Sequence, residues 1–288
     1  MAINVKKVEI VESNFNNYIG VGLFEVLAIN PTRAQLTQLF PNSTSTDEIN
    51  YLSEDKNGTK VFRLDVYCKL VEHETILNFI HKVSFFLRNE KPLNANGDKI
   101  KVINKYGMTM YIPLENFNEG TVPENLAWFP LPYKVCYPGQ EELINFLKAY
   151  FATKSLNKLV NGIPVQIETP SEAEMSIDNM EALLNGNIAE LKPIIEVKNL
   201  VKLVIGVRTT DDNKVYQDTF MQGFVKANTK KYDYLQKHIE QAKNAGRYPR
   251  TEFSLGDLTI CNNNVEKSIN NSPIPSYTGE TIQNVEEG

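Results

Sequence analysis

The sequence predicts an α+β protein: an antiparallel β-barrel or sandwich in the first half, elaborated by helices and a further β-hairpin. Three observations carry this. Four short stretches between Lys60 and Ile112 alternate apolar and polar side chains and are joined by compact turns. Residues 140–151 repeat their apolar side chains at helical spacing. Leu200–Val207 and Lys214–Phe220 flank Thr209-Thr210-Asp211-Asp212-Asn213, whose composition is that of a hairpin turn.

Val5–Val11 alternates weakly and is expected to be a first strand. Tyr18–Ile29 is a stronger one, with Gly20 and Gly22 allowing a bend or bulge. Asn30-Pro31-Thr32 ends it, because Pro31 removes a donor, and a short helix follows on Leu36, Leu39 and Phe40. Pro41–Asp47 is loop-like. Lys60–Leu70 alternates strictly: Phe62, Leu64, Val66, Cys68 and Leu70 on one face, Arg63, Asp65, Tyr67 and Lys69 on the other. Such a pattern means one buried and one wet face. His81–Arg88, Lys99–Ile103 and Met108–Ile112 repeat it, with Lys82, Ser84, Phe86, Arg88, Lys99, Lys101, Thr109 and Tyr111 outward. Pro130–Pro138 reads as a connector, and Gln140–Phe151 as a helix whose first turn holds Glu141 and Glu142, where carboxylates favour the dipole. Thr169–Ser176 reads as loop, with helical pieces expected at Asp178–Leu184 and Ile188–Lys192. Asn228–Asn244 is a further helix, with Asn228 or Thr229 as N-cap and Gly246 as stop.

At 288 residues and 42% hydrophobic content, the chain is long enough to bury a sizeable core. Disorder throughout, collagen-like repeats and a disulfide-stapled miniprotein are excluded. No window reaches the ~18–20 uninterrupted apolar residues that a bilayer demands. Met1–Lys7 has no apolar run behind its charges, and Cys68, Cys136 and Cys261 are an odd, scattered set. A cytosolic protein in a reducing compartment is expected, without secretion signal or membrane partner. One elaborated domain is expected over 1–260, and a flexible, mildly acidic tail over 261–288.

The net charge of −5 is unevenly spread: Val225–Arg250 carries +5 and Asn262–Gly288 carries −3. Screening confines charge effects to about 10 Å, so an acidic protein can still offer one basic surface to a polyanion. Phosphate-loop, dinucleotide, zinc-protease and serine-hydrolase motifs are absent, and only His73, His81 and His238 are available. No enzyme, cofactor or metal site is expected. The positive signal is the outward set Arg63, Tyr67, Lys69, Lys82, Phe86, Arg88, Lys99, Lys101 and Tyr111, with Asp65 its one acid. Cations neutralise phosphates, and each unpaired base can stack on a ring for ~1–3 kcal/mol whatever its sequence. Parity leaves two readings open: an exposed binding face, or a second core in which Tyr67, Phe86 and Tyr111 are covered.

Several stretches in order give the chain a resemblance to the single-stranded-DNA-binding proteins of tailed bacteriophages. They are Gly22–Thr32, Val61–Tyr67, Pro132–Tyr150 around Gly139-Gln140-Glu141-Glu142-Leu143, Leu184–Leu191, and Val204–Thr209 followed by Tyr216-Gln217-Asp218. They span roughly residues 18–255. The resemblance implies an OB-like barrel that coats unpaired DNA without sequence preference in phage replication, recombination and repair, in the host cytoplasm. Lys230 and Lys231 would add charge at one edge. The tail carboxylates Glu280, Glu286 and Glu287 would recruit replication or recombination proteins. The zinc cluster of the best-known phage member has no counterpart here, so no metal is implied. Two other readings stand beside this one: a structural or packaged virion protein without nucleic-acid affinity, and a metal-dependent nuclease with carboxylates converging from distant positions.

Overall fold

The computed structural model describes residues 16–41, 49–104 apart from 72, 74 and 77, 107–151 apart from 125 and 127, 157–160, 163–166, 182–187, and 199–261 apart from 213. The fold is α+β, built mostly of antiparallel sheet. β1 (Asn17–Ile29) pairs in turn with three partners: β14 (Thr259–Cys261), β10 (Leu200–Thr209) and β3 (Lys60–Leu70). β3 carries β2 (Leu52–Glu54) at its start and β4 (Ile80–Arg88) on its other edge. β10 carries β11 (Val215–Thr219) and β12 (Val225–Lys226) on the edge away from β1, and β13 (Thr251–Phe253) past the end of β1. The backbone order is therefore β11-β10-β1-β3-β4, with short strands added at its edges.

Among the described residues no ladder joins β4 to β11, so backbone bonds do not close this sheet into the expected barrel. A side-chain contact spans the seam instead: His81 Nε2 on β4 shares a buried hydrogen bond with Thr219 Oγ1 on β11. A second sheet of three strands, β6 (Thr109–Pro113), β5 (Lys99–Asn104) and β7 (Tyr133–Val135), is inserted between β4 and α2 (Gln140–Phe151). β8 (Asn157–Val160) and β9 (Ile163–Gln166) form a separate pair.

Alternation along the strands builds the main core. Phe62, Leu64, Val66 and Cys68 of β3 and Val83, Phe85 and Leu87 of β4 point to one side, where α2 lays down Leu143, Phe146, Leu147, Ala149 and Tyr150. Each such side chain contributes about 1.5–3 kcal/mol by leaving water. A second core lies on the other face of β1 and β10, where Val21, Val204, Phe220 and Val225 meet Leu235, Ile239 and Ala242 of α3 (Tyr234–Asn244). β10 is thus covered on both faces, as a central strand should be. A third, small core of Ile100, Val102, Ile112, Phe129 and Tyr133 holds the inserted sheet.

Several elements differ from the sequence reading. The bulge of β1 falls between Val26 and Ala28 rather than at the glycines. Gly20 instead sits at φ 130°, where a Cβ would lie 2.5 Å from the Asp257 carbonyl oxygen. Pro130–Pro138 is more than a connector, since burying Tyr133 pairs β7 with β5. α3 starts at Tyr234, not Asn228, because β12 is used in the sheet and the turn after it is held by Lys202 Nζ donating to the Thr229 carbonyl. The expected strand at Val5–Val11, the loop at Thr169–Ser176, the helix at Ile188–Lys192, most of that at Asp178–Leu184 and the tail beyond Cys261 lie outside the described residues. No helix among the described residues is long and apolar enough to cross a membrane.

α2 meets β4 at a close backbone approach. The Arg88 N–H donates to the Pro138 carbonyl, and Gly139, at φ +83°, leaves room for the Phe86 carbonyl, which a Cβ would meet at 2.1 Å. Gly139→Ala is expected to cost at least about 2 kcal/mol through the clash and the left-handed backbone. Urea unfolding of the two proteins measures this, and equal midpoints would remove the claim.

At the seam, burial foremost and Lys82 in addition lower the His81 imidazole from 6.5 to about 4. Unfolding releases the ring to take a proton, so the folded state loses stability as pH falls from about 6.5 towards 4. Between pH 7.5 and 5 this group should remove about 2 kcal/mol. Melts of wild type and His81→Gln at both pH values isolate it. An identical pH dependence in the variant would show that His81 is not the group.

Candidate nucleic-acid interface

The outward face of β3 and β4 is ordered by cross-strand pairs: Val61 with Arg88, Arg63 with Phe86, Asp65 with Ser84, and Tyr67 with Lys82. At its centre Asp65 is only 1% exposed. A carboxylate taken out of water needs charge and hydrogen bonds around it. Arg63 Nε lies 3.3 Å and Lys82 Nζ 3.8 Å from Asp65 Oδ2, while Ser84 Oγ donates to Oδ1 at 2.7 Å. Burial lowers the Lys82 ammonium, and Asp65 opposes that shift.

The chain that leaves β1 roofs one end of this face. Asn30, at φ 41°, accepts from the Asp65 N–H through Oδ1 and donates Nδ2 to the Arg63 carbonyl. Thr32 and Gln35 then form a reciprocal capping box at the start of α1 (Arg33–Leu39). Leu36 is buried, Phe40 packs on Tyr67 at 5.9 Å between ring centroids, and the Tyr51 hydroxyl donates to the Pro31 carbonyl. Arg63 lies 5.4 Å above the Tyr51 ring. Under this roof Tyr67 is 4% exposed, and its phenol is pushed well above its usual value by burial. The second-core placement therefore applies to Tyr67. Parity gave its side of the sheet but not the cover supplied by Asn30, α1, Phe40 and Tyr51.

Phe86 and Tyr111 have the opposite fate, at 51% and 47% exposed. Phe86 stands at the unroofed end of β4, beside Arg63 across the ladder and two residues from Arg88. Tyr111 lies on β6 opposite Lys101 of β5. The two rings belong to separate sheets that meet at the first turn of α2. There Glu141 pairs with Lys101 and accepts from Thr109, while Gly139 abuts the backbone of Phe86.

The cations are less free than their spacing suggested. Arg63 and Lys82 share Asp65, Arg88 lies 4.0 Å from Asp55, and Lys101 is held by Glu141. Asp55 and Glu141 come from other elements, which alternation within a strand does not reveal. Lys69 is half-buried, and Lys99 is exposed. Lys230 and Lys231 are exposed on the segment between β12 and α3, which is tied to β10 through Lys202 and Thr229. Glu280, Glu286 and Glu287 lie outside the described residues.

Some surface groups escaped the sequence reading. Tyr216 is 37% exposed under Arg208 at the tip of the β10–β11 hairpin, and Trp128 is 57% exposed on the inserted sheet. The roof left one legible trace, the Thr32…Gln35 spacing of a capping box. Among the described residues no three His, Cys, Asp or Glu side chains group as metal ligands. Burial pushes the Cys136 thiol up to about 12, which makes it a poor nucleophile.

No protein-family model, no curated protein and no solved structure matches the chain.

The two rings should separate cleanly in stability. Tyr67→Ala is expected to cost about 3 kcal/mol as a core truncation, whereas Phe86→Ala should stay within about 0.5 kcal/mol of wild type. Denaturant titration checks both, and similar losses for the two variants would contradict this assignment of core and surface.

Proposed function

We propose that this chain is a non-catalytic protein that binds single-stranded DNA across the outward face of β3 and β4, and that its main sheet is an OB-like barrel left open at one seam. The order β11-β10-β1-β3-β4, with α2 between β4 and β10 in the chain, supports that architecture. In such partly open five-stranded barrels, the second and third strands carry the oligonucleotide face, and here those are β3 and β4.

The observation that carries the reading is Phe86, a large ring half in water beside Arg63 and Arg88. A base stacked there removes apolar surface from water and keeps its edges solvated, so binding is indifferent to sequence. The surrounding cations would hold the phosphates on either side. Arg88 is the readiest to exchange partners, because its contact with Asp55 is long and partly exposed. Asp65 lies below this layer, where it fixes Arg63 and Lys82 without projecting into the strand's path. Lys99 and Tyr111 extend the surface past the α2 turn, and Lys230 and Lys231 add charge at the far edge. In this reading the protein coats strands in phage replication, recombination and repair inside the host, and Glu280, Glu286 and Glu287 meet partner proteins.

Titration of a labelled oligo-dT of about 20 nucleotides, longer than one barrel's footprint, tests the reading. With three or four phosphate contacts, log affinity should fall against log salt with a slope of about −2 to −3. Phe86→Ala should weaken binding by about 1–3 kcal/mol. A flat salt response, or wild-type affinity in Phe86→Ala, overturns the proposal. Exposed Trp128 and Val122 favour the structural-protein reading if DNA affinity is absent altogether.

A further inference from the structure

A cleft of about 410 Å³ opens between the first half of α2 and the last turns of α3. Its walls hold Glu142 and Asn145 of α2, Gln222 from the turn between β11 and β12, and His238, Gln241 and Arg247 of α3 and the turn after it. Glu142, Asn145 and Gln222 are half-buried, and the other three are exposed. Two of the six are charged, with opposite sign. Among the described residues neither the Glu142 carboxylate nor the Arg247 guanidinium has an ion pair or a side-chain hydrogen bond, and the two do not pair with each other. Glu141 also faces the cleft, but Lys101 and Thr109 already hold it. Lys237, Glu240 and Lys243 of α3 lie outside the lining.

This lining selects among ligands. A phosphate ester would meet the Glu142 carboxylate, and a metal ion would meet the Arg247 guanidinium. An apolar molecule would find only the methyl groups of Ala242 and Ala245. A molecule with one ammonium and one carboxylate finds a counter-charge for each, and both contacts are charge-assisted hydrogen bonds. The amides of Asn145, Gln222 and Gln241 both donate and accept, so they suit the polar groups between the two charges. We propose that the cleft binds a small zwitterion of the amino-acid class, a free amino acid or a short peptide, with its ammonium on Glu142 and its carboxylate on Arg247. This inference goes beyond the nucleic-acid reading, and its test contains no DNA, so the two fail separately.

His238 is the reporter, because it faces the cleft and the chain has 3 histidines in all. Its ring-proton signals in the NMR spectrum of the full chain are assigned by their loss in His238→Gln. Titration with glycine, diglycine and triglycine at low salt should move those signals saturably with at least one of the three. The member that binds best separates a free amino acid from a peptide. Blocking both charges, as in N-acetyl-diglycine amide, should weaken binding at least about tenfold. Glu142→Gln and Arg247→Gln should each do the same while melting within a few degrees of wild type, since both side chains reach solvent and neither has a protein partner. His238 signals that stay fixed with all three ligands overturn the proposal. So does undiminished binding of the blocked peptide, or wild-type binding in both folded variants.

Discussion

A carboxylate sealed from water at the centre of a sheet face constrains everything built around it. Asp65 is 1% exposed, and its charge is compensated by Arg63, Lys82 and Ser84 from β3 and β4. Its backbone is clamped by Asn30, which turns the chain out of β1 and starts the roof that covers Tyr67. One side chain thereby orients two cations, fixes where the outward face is closed, and leaves the Phe86 end open. Removing its charge alone would strand two cations in a half-buried layer, so the group is held by its neighbours as firmly as it holds them.

What the sequence made legible was local. Strict alternation over Lys60–Leu70 located that strand and its inward residues, because period two is a property of one strand in isolation. The amphipathic stripe of Gln140–Phe151 did the same for α2. Parity could say that Tyr67 and Phe86 share a side, but the roof over the first depends on Asn30, α1, Phe40 and Tyr51, which are remote from it in the chain. The pairing of Arg88 with Asp55 and of Lys101 with Glu141 is likewise a fact of tertiary structure. The start of α3 was misplaced for a related reason: β10 captures Val225–Lys226 as a strand, overriding the local helical pattern.

The candidate interface is assembled at a junction. Glu141 serves the first turn of α2, the inserted sheet through Lys101 and Thr109, and thus the relative placement of Tyr111 and Phe86. Placing the insertion between β4 and α2 leaves the main core undisturbed, since that core draws on β1, β3, β4, β10 and α2. The insertion could therefore acquire its own small core and its own apolar exterior without cost to the sheet it hangs from.

The pairing of β1 also bears on how the chain comes to fold. Among the described strands this one is made first, yet Gly20 aligns with Ile205 and Tyr18 with Ile260. At about 5–20 residues per second, synthesis needs roughly 10–40 s to deliver β10 after β1 has emerged. For that interval β3 is, among the described residues, the one strand paired with this thirteen-residue strand. Its free edge is a hazard for pairing with other nascent chains, and completion of the sheet is bound to be slow, because most of its closure waits on contacts remote in the chain.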